Sequence, residues 1–281
     1  MNGDQHVKIQ KGGMNASIDL QGGGIHSLEA DDVGIIKPSN DGHKTHGGMA
    51  ILAPYANRIK RGTYSFMGST YELPLNMEGN AIHGFAKDST FSLVKESSSS
   101  CRLRSVLTGK GYPWKIRLDV SYVAGANDFK CTAMAHNLSD FPAPFQIGFH
   151  PYFTFSGYWS LIGDKPGAYL EYREKYFPDG SANVIDPFML ESSEWKNIDN
   201  SFMQTGRIIF TTNGRKLIIE RENLNYLVLY NGVYTEGKSI AIEPMTAPPD
   251  AFNSELGLLT LNPGSTTRVS FKIKVITTEE V

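Results

Sequence analysis

The sequence predicts an all-β protein, a large antiparallel β-sandwich, on three observations. Several segments alternate apolar and polar residues with a period of two, which is typical of half-buried antiparallel strands. Turn-forming segments rich in Gly, Asn, Asp and Ser separate them, among them NDGH, FMGST, AGAND and LNPGST. The pattern shows no amphipathic helix of good length. With 281 residues the chain can bury a large core, and we expect residues 1–281 to form a single domain.

The clearest strands lie in the middle and near the end of the chain. In KIRLDVSYV, every second residue from Ile116 to Tyr122 is apolar, so one face should be buried and the other solvated. The segments DFKCTAMA and RVSFKIKVI alternate in the same way. In SIAIEP, Ile240 and Ile242 share one face, which places Glu243 on the other face of the same strand.

Composition and charge exclude several classes of function. The formal net charge is -2 and charged residues make up 20%, which indicates neither a nucleic-acid-binding nor an anionic-membrane-binding protein. Two cysteines, Cys101 and Cys131, form neither a disulfide framework nor a metal site and suit small core positions. The opening residues lack the pattern of a signal peptide and no segment is apolar for the length of a membrane span, so a cytoplasmic protein is expected.

Known cofactor and metal motifs are also missing. The sequence contains no P-loop, GxSxG or HExxH, and the Gly-rich segment LQGGGIHS opens no predicted helix. His43 and His46 stand three apart in HKTHGG without a third ligand nearby in sequence. We therefore expect no cofactor and no metal.

Two residues have the setting of a catalytic acid or base. Glu243 ends an apolar run and precedes Pro244, which favours extended backbone and gives the carboxylate a stiff platform at a strand end. The alternative is a glutamate that faces water or pairs with an arginine. His150 precedes Pro151 within the aromatic segment PFQIGFHPYF, where its pKa can shift in either direction. The alternative for His150 is a core histidine bonded to backbone.

Two further residues could bind a substrate. His83 in NAIHGF precedes Gly84, which permits a tight turn around a ligand, although an ordinary loop histidine would look the same. Arg58 in PYANRIKRG could donate two hydrogen bonds to a substrate oxygen. Alternatively, it is a surface arginine beside Lys60 and Arg61.

Together these segments resemble the aldose 1-epimerases, also called galactose mutarotases. The resemblance is carried by PYANRIKRGTYSFMGSTYELPLN, NAIHGF, GFHPYF, AIEPMTAPPDAFN and LNPGSTTRVSFKI, which occur in the family's order over roughly residues 47 to 274. It implies a β-sandwich of the galactose mutarotase type and an isomerase that acts on a monosaccharide. Spontaneous mutarotation in water is consistent with a reaction that needs only one acid and one base.

The resemblance also assigns roles to residues. Glu243 would take the proton from the C1 hydroxyl of the sugar, and His150 would protonate the ring oxygen O5. The ring would open, the C1–C2 bond would rotate, and closure would give the other anomer. Opposite charges within reach would keep Glu243 ionised and His150 protonated in the resting site. The residues implied in substrate binding are His83, Arg58, Asn57, Tyr152 and Asp199.

Some features depart from the family's pattern and leave alternatives open. NMEGN replaces the family's NEGPN, and Val228 stands where some members have a sugar-binding Gln, so the expected substrate is an aldohexose or related reducing sugar. A hexose-6-phosphate 1-epimerase would use Lys60, Arg61 and Lys87 to hold the phosphate. A carbohydrate-binding module would lack a paired acid and base, and a glycoside hydrolase or lyase would need two carboxylates. Either a monomer or a homodimer is expected.

Overall fold

The computed structural model describes residues 6–194, 197–212, 214–231, 234 and 236–277. The first half of the described chain contains β1 (His6–Lys11), β2 (Met14–Asp19), β3 (Ile25–Ala30), β4 (Val33–Ile36), β5 (Met49–Leu52), β6 (Arg58–Ile59), β7 (Thr63–Phe66), β8 (Ser69–Glu72), β9 (Ala81–Ile82), β10 (Ser92–Ser97), β11 (Ser100–Gly109), β12 (Tyr112–Ala124) and β13 (Asp128–Asn137). The second half contains β14 (Ala143–Phe145), β15 (Gly148–Thr154), β16 (Trp159–Gly163), β17 (Gly167–Glu174), β18 (Phe177–Ile185), β19 (Met189–Glu191), β20 (Asp199–Gln204), β21 (Ile208–Thr212), β22 (Arg215–Glu222), β23 (Tyr226–Tyr230), β24 (Ser239–Met245), β25 (Leu259–Leu261) and β26 (Thr266–Thr277).

The helices among the described residues are short. The α-helix α1 covers Ala251–Ser254, and two 3-10 helices cover Lys60–Gly62 and Ala86–Asp88. A helix long and apolar enough to cross a membrane does not occur among the described residues.

The strands form two large antiparallel sheets within the described ranges. One has 11 strands in the order β1-β2-β3-β4-β15-β24-β23-β20-β17-β18, with β5 paired to both β15 and β3. The other has 9 strands in the order β10-β11-β12-β13-β26-β22-β21-β16-β19. Three small two-stranded sheets, β14-β25, β6-β9 and β7-β8, complete the arrangement. The predicted all-β class with large antiparallel sheets is confirmed.

The main hydrophobic core contains side chains from both large sheets, as the alternation of the sequence predicts. On β12, Ile116, Leu118, Val120 and Tyr122 are all buried, whereas the residues between them are partly exposed. The alternate apolar residues of β13 and β26 enter the same core, namely Phe129, Cys131, Ala133, Ala135, Val269, Phe271, Ile273 and Val275. Burying one face of each strand is the main favourable contribution to such a fold.

Strand β24 is buried on both faces. Ile240 and Ile242 belong to the main core, whereas Glu243 points to the opposite face of the 11-stranded sheet. A second apolar cluster contains residues on that opposite face: Ala50, Leu52, Ala56, Leu170, Tyr226, Val228 and Met245. The prediction that Glu243 ends its strand is wrong, because β24 continues through Pro244, which lies opposite Leu227, to Met245. We call the face that carries Glu243 the outer face.

Candidate active site

His150 and Glu243 face each other across two neighbouring strands. In the β15–β24 ladder, Gly148 pairs with Met245 and Tyr152 pairs with Ala241, so counting inward places His150 opposite Glu243. The His150 Nε2 and Glu243 Oε1 atoms are 3.3 Å apart. Only 5% of His150 and 1% of Glu243 are exposed. The sheet therefore brings together, in a dry environment, the two residues for which the sequence predicts acid and base roles.

Two prolines accompany this pair. Pro151 and Pro244 follow His150 and Glu243 directly, and neither can donate a backbone hydrogen bond to the ladder. The regular pairing of β15 with β24 is accordingly interrupted at residues 149–151. The strand pairing is interrupted where the two functional side chains meet, which is a common local irregularity beside active sites.

Burial determines the charge state of the pair. It lowers the pKa of the His150 imidazole to about 3. Burial also raises the pKa of the Glu243 carboxyl well above its usual value, and the negative charge of Asp199 adds to this whereas Arg58 opposes it. Both side chains are therefore favoured in their neutral forms: the His150 imidazole is uncharged and the Glu243 carboxyl carries its proton. This differs from the expected ion pair, because the cost of burying both charges outweighs their mutual attraction.

Three buried polar atoms around the pair have no hydrogen-bond partner among the described residues: His150 Nδ1, Glu243 Oε2 and His83 Nδ1. The His83 and His150 rings meet edge to face, with centroids 5.5 Å apart. An unsatisfied buried polar group costs about 1–3 kcal/mol, so such groups are uncommon unless they serve a purpose. A ligand rich in hydroxyl groups can supply the missing donors and acceptors.

The loop that carries His83 is held by backbone contacts. The His83 N–H donates to the Asn57 carbonyl at 2.9 Å, and His83 has a φ of 64°. Gly84 also has a positive φ, and a Cβ atom there would lie 2.2 Å from the Ala53 carbonyl oxygen. The glycine is therefore required by the approach of the Ala53 backbone, rather than by a ligand as the sequence suggested.

Arg58 lies in the same region and is held on two sides. Its Nε and Nη2 atoms donate to the Glu78 carboxylate at 2.8 and 3.2 Å, and its guanidinium carbon is 3.7 Å from the centre of the Tyr176 ring. Asn57 accepts a hydrogen bond from the Arg58 backbone at 2.9 Å. Burial lowers the pKa of Arg58, but the bond to Glu78 outweighs this and leaves that pKa raised. Arg58 is thus a fixed cation at the site.

Asp199 is electrostatically close to both Arg58 and Glu243. It lies opposite Tyr230, which in turn lies opposite Ala241, so it shares the outer face with Glu243. Burial raises the pKa of Asp199, and the charge of Arg58 works against that rise. The structure therefore supports a place for Asp199 near the pair, and its hydrogen bonds to sugar hydroxyls stay a prediction.

Tyr152 packs against the pair from the side. Its ring stacks on His150 with centroids 4.9 Å apart at 24°, and its hydroxyl donates to the Thr45 carbonyl at 2.7 Å. The side chain is fully buried. In this arrangement Tyr152 positions the His150 ring, and a direct contact with sugar stays a prediction.

Three further residues lie beside the site. Glu78 lies in NMEGN, where the departure from the family's pattern was a signal, although its ion pair with Arg58 could not be read from it. Tyr176 comes from the β17–β18 turn, which carries no motif. Val228 lies opposite Glu243 in the register of β23 with β24 and adds apolar surface beside the carboxyl. The sequence marked NMEGN and Val228 only as departures from the family's pattern and gave no signal for Tyr176, so the contacts of all three required the folded chain.

Comparison with known proteins gives a family match over most of the chain. Residues 5–274 match the family described as Aldose 1-epimerase. The uncharacterized protein YihR of Escherichia coli K12 is 27% identical, and the match covers 96% of this chain and 92% of that protein. Human galactose mutarotase is 25% identical over a shorter match, which covers 48% of this chain and 42% of that protein.

The fold has a close counterpart among solved structures. A galactose mutarotase-like protein from Lactobacillus casei superposes with a TM-score of 0.83 at 18% identity, covering 96% of this chain and 100% of that one. At such low identity the likeness concerns the fold alone. The family match over nearly the whole chain goes further: this protein belongs to the aldose 1-epimerase family.

Proposed function

We propose that this protein is an aldose 1-epimerase, an isomerase that interconverts the α and β anomers of an aldohexose or related reducing sugar. The observation that carries the proposal is the buried His150–Glu243 pair, with 3.3 Å between Nε2 and Oε1. Each member of the pair also has a buried polar atom without a hydrogen-bond partner, as does the neighbouring His83. Arg58, Asn57, His83, Asp199 and Tyr152 would bind or frame the sugar.

The pair is suited to exchange protons with two oxygens on one carbon. In a pyranose, O1 and O5 are both bonded to C1, so adjacent catalytic groups can reach them together. In the ring-opening direction Glu243 takes the O1 proton as a carboxylate and His150 protonates O5. The C1–O5 bond breaks, the C1–C2 bond rotates, and closure reverses the two proton transfers.

The charge state of the free enzyme is compatible with these steps. A neutral imidazole with a protonated carboxyl holds as many protons as an imidazolium with a carboxylate, so one proton shift between the two side chains interconverts the forms. Hydrogen bonds from the sugar to Glu243 Oε2 would favour the carboxylate. Each proton transfer group contributes on the order of 10²–10⁴-fold.

The first test follows fresh α-glucose, α-galactose and α-glucose 6-phosphate by time-resolved NMR with and without the protein. We expect faster approach to anomeric equilibrium for at least one unphosphorylated aldohexose, because the site offers an acid and a base to C1 and O5. The spontaneous rate in matched buffer is the control. Rates equal to the spontaneous rate for all sugars would refute the proposal.

A second prediction concerns pH. The active form holds one proton on the pair, so kcat/KM should fall in acid as the pH approaches the His150 pKa of about 3 and in alkali as the raised pKa of Glu243 is passed. Between these limits we expect a plateau. The measurement is the enzymatic rate, after subtraction of the spontaneous rate, across the pH range. A narrow optimum between 4.5 and 6.5, the usual pKa values of glutamate and histidine, would contradict the predicted plateau.

The alternatives have less support. Lys60 pairs with Glu174 and Lys87 pairs with Asp88, so two of the three cations proposed for a phosphate already have anionic partners. A binding module does not need a buried acid and base in contact. The phosphorylated and unphosphorylated arms of the NMR experiment separate the first of these from the main proposal, and catalysis itself separates the second.

A further inference from the structure

Three potential metal ligands meet at the β1 edge of the 11-stranded sheet. His6, Asp19 and His26 come from β1, β2 and β3, and one ligand atom from each lies within 4.8 Å of the other two. His6 Nδ1 is 2.6 Å from Asp19 Oδ1, and the His6 and His26 ring centroids are 4.9 Å apart. Asp19 is buried, whereas both histidines are partly accessible. We call this group the edge cluster.

The composition of the edge cluster suits a transition metal. Two imidazoles and one carboxylate are a ligand set that zinc accepts, with a fourth position left for water or another oxygen ligand. A cavity of about 280 Å³ lies beside the cluster and is lined by all three of its residues, which leaves room for such a ligand. To bind one ion, the more distant ligand atoms would move closer together and His6 Nδ1 and Asp19 Oδ1 would move slightly apart.

We propose that His6, Asp19 and His26 form a binding site for a divalent transition-metal ion, with zinc as the preferred ion. This proposal does not rest on the proposed epimerase activity. The sequence gives no sign of it, since the three residues follow no metal-ligand spacing and only the β1–β2–β3 meander brings them together. Because the ligands come from three strands, the ion would fasten the edge strand β1 to its neighbours.

Lys44 competes with such an ion. Its Nζ atom is 2.7 Å from Asp19 Oδ2, so the lysine neutralises the carboxylate that the metal would need. About a third of the Lys44 side chain is exposed (33%), which allows the ammonium group to turn into water when a cation arrives. The competing explanation is an ordinary ion-pair network of His6, Asp19 and Lys44, and the two explanations differ in the effect of removing the lysine.

The cavity also lies near the candidate active site. Ala50 lines the cavity and is the cross-strand partner of His150. The lining also includes His43 from a neighbouring loop and Lys87 from the 3-10 helix Ala86–Asp88. A metal at the edge cluster would therefore lie on the same face as the His150–Glu243 pair while sharing none of its residues. Metal binding and anomer interconversion can accordingly be measured separately.

The test uses the full-length protein without a histidine tag, stripped with EDTA and titrated with zinc chloride by calorimetry and with cobalt chloride by visible absorption. We expect one equivalent to bind, with the absorption of a tetrahedral or five-coordinate cobalt site, and a higher Tm in the presence of zinc. If the parent protein binds zinc no more tightly than the variant His26→Ala, which lacks one proposed ligand, the proposal is overturned.

Three variants make the result specific. His26→Ala should weaken zinc binding more than about 100-fold. Removing a residue that only hydrogen-bonds to a metal ligand already lowers metal affinity about 10–100-fold, and His26 would be a ligand itself. Lys44→Gln should tighten zinc binding, because it removes the positive charge that neutralises the Asp19 carboxylate. His136→Ala is the matched control: its Nδ1 contacts Thr266 Oγ1 on the other sheet, and binding should not change.

The variants also identify the contrary outcomes. Zinc affinity that is equal in the parent protein and in His26→Ala would place the ion elsewhere and refute the site. Unchanged or weaker binding by Lys44→Gln would refute the proposed competition and favour the simple ion-pair network. Circular dichroism and the Tm in EDTA show that each variant is folded before its affinity is interpreted.

Discussion

Glu243→Gln is expected to interconvert anomers on the order of 10²–10⁴-fold more slowly than the parent protein. Glutamine keeps the size and much of the hydrogen bonding of the buried side chain, which is 1% exposed, but it cannot accept and return a proton. The change therefore removes one proton-transfer group from the pair with His150 while leaving its packing in place. Polarimetry or NMR of a fresh anomer gives the rate.

The same variant should be folded at least as stably as the parent. Burial raises the folded pKa of Glu243 above its unfolded value, so its contribution to stability is present below the unfolded pKa and is lost as the pH rises through the folded pKa. At neutral pH and above, a side chain that does not ionise avoids that loss. Thermal unfolding at several pH values measures the difference.

Glu96→Gln is the matched control for this experiment. Glu96 is an exposed residue of β10 on the other large sheet, and its substitution should change neither the rate nor the Tm. Parent-like activity in Glu243→Gln would remove Glu243 from the mechanism. A large loss of stability together with the loss of rate would instead give the carboxyl a structural role.

His150→Gln should show a loss of similar size, on the order of 10²–10⁴-fold. The amide can occupy part of the imidazole's place but cannot transfer a proton to and from O5. Because the pair acts as one unit, the double variant with Glu243→Gln should be little slower than either single variant. Rates of the parent, both single variants and the double variant measure this coupling.

The stability of His150→Gln offers an independent readout. Burial lowers the folded pKa of His150 to about 3, so its contribution to stability is present above the unfolded pKa and is lost as the pH falls toward that value. The variant should therefore resist acid unfolding better than the parent. His136→Gln, at a partly exposed position on the other large sheet, serves as the control for both rate and acid stability. Strictly multiplicative losses in the double variant would contradict a single catalytic unit.

Local pattern was sufficient for the strands and their buried faces. The alternate residues of β12, β13 and β26 predicted which side chains enter the core, because side chains on successive residues of a strand point to opposite faces. The motifs around His83, His150 and Glu243 indicated the family that the whole-chain match then confirmed. These properties depend on the order of residues along short segments, which the sequence displays directly.

Relations across the sheets required the folded chain. Only the antiparallel register of β15 with β24 places His150 against Glu243, and only the burial of that pair makes its neutral form the favoured one. The ion pair between Glu78 and Arg58 joins segments that are separate in sequence. The edge cluster likewise joins residues of β1, β2 and β3. The sequence alone therefore determines the residue types and the faces of the strands on which they lie. The distances between the functional groups and their charge states follow from the tertiary structure, because they depend on which groups pack against each side chain and on how much water that packing excludes.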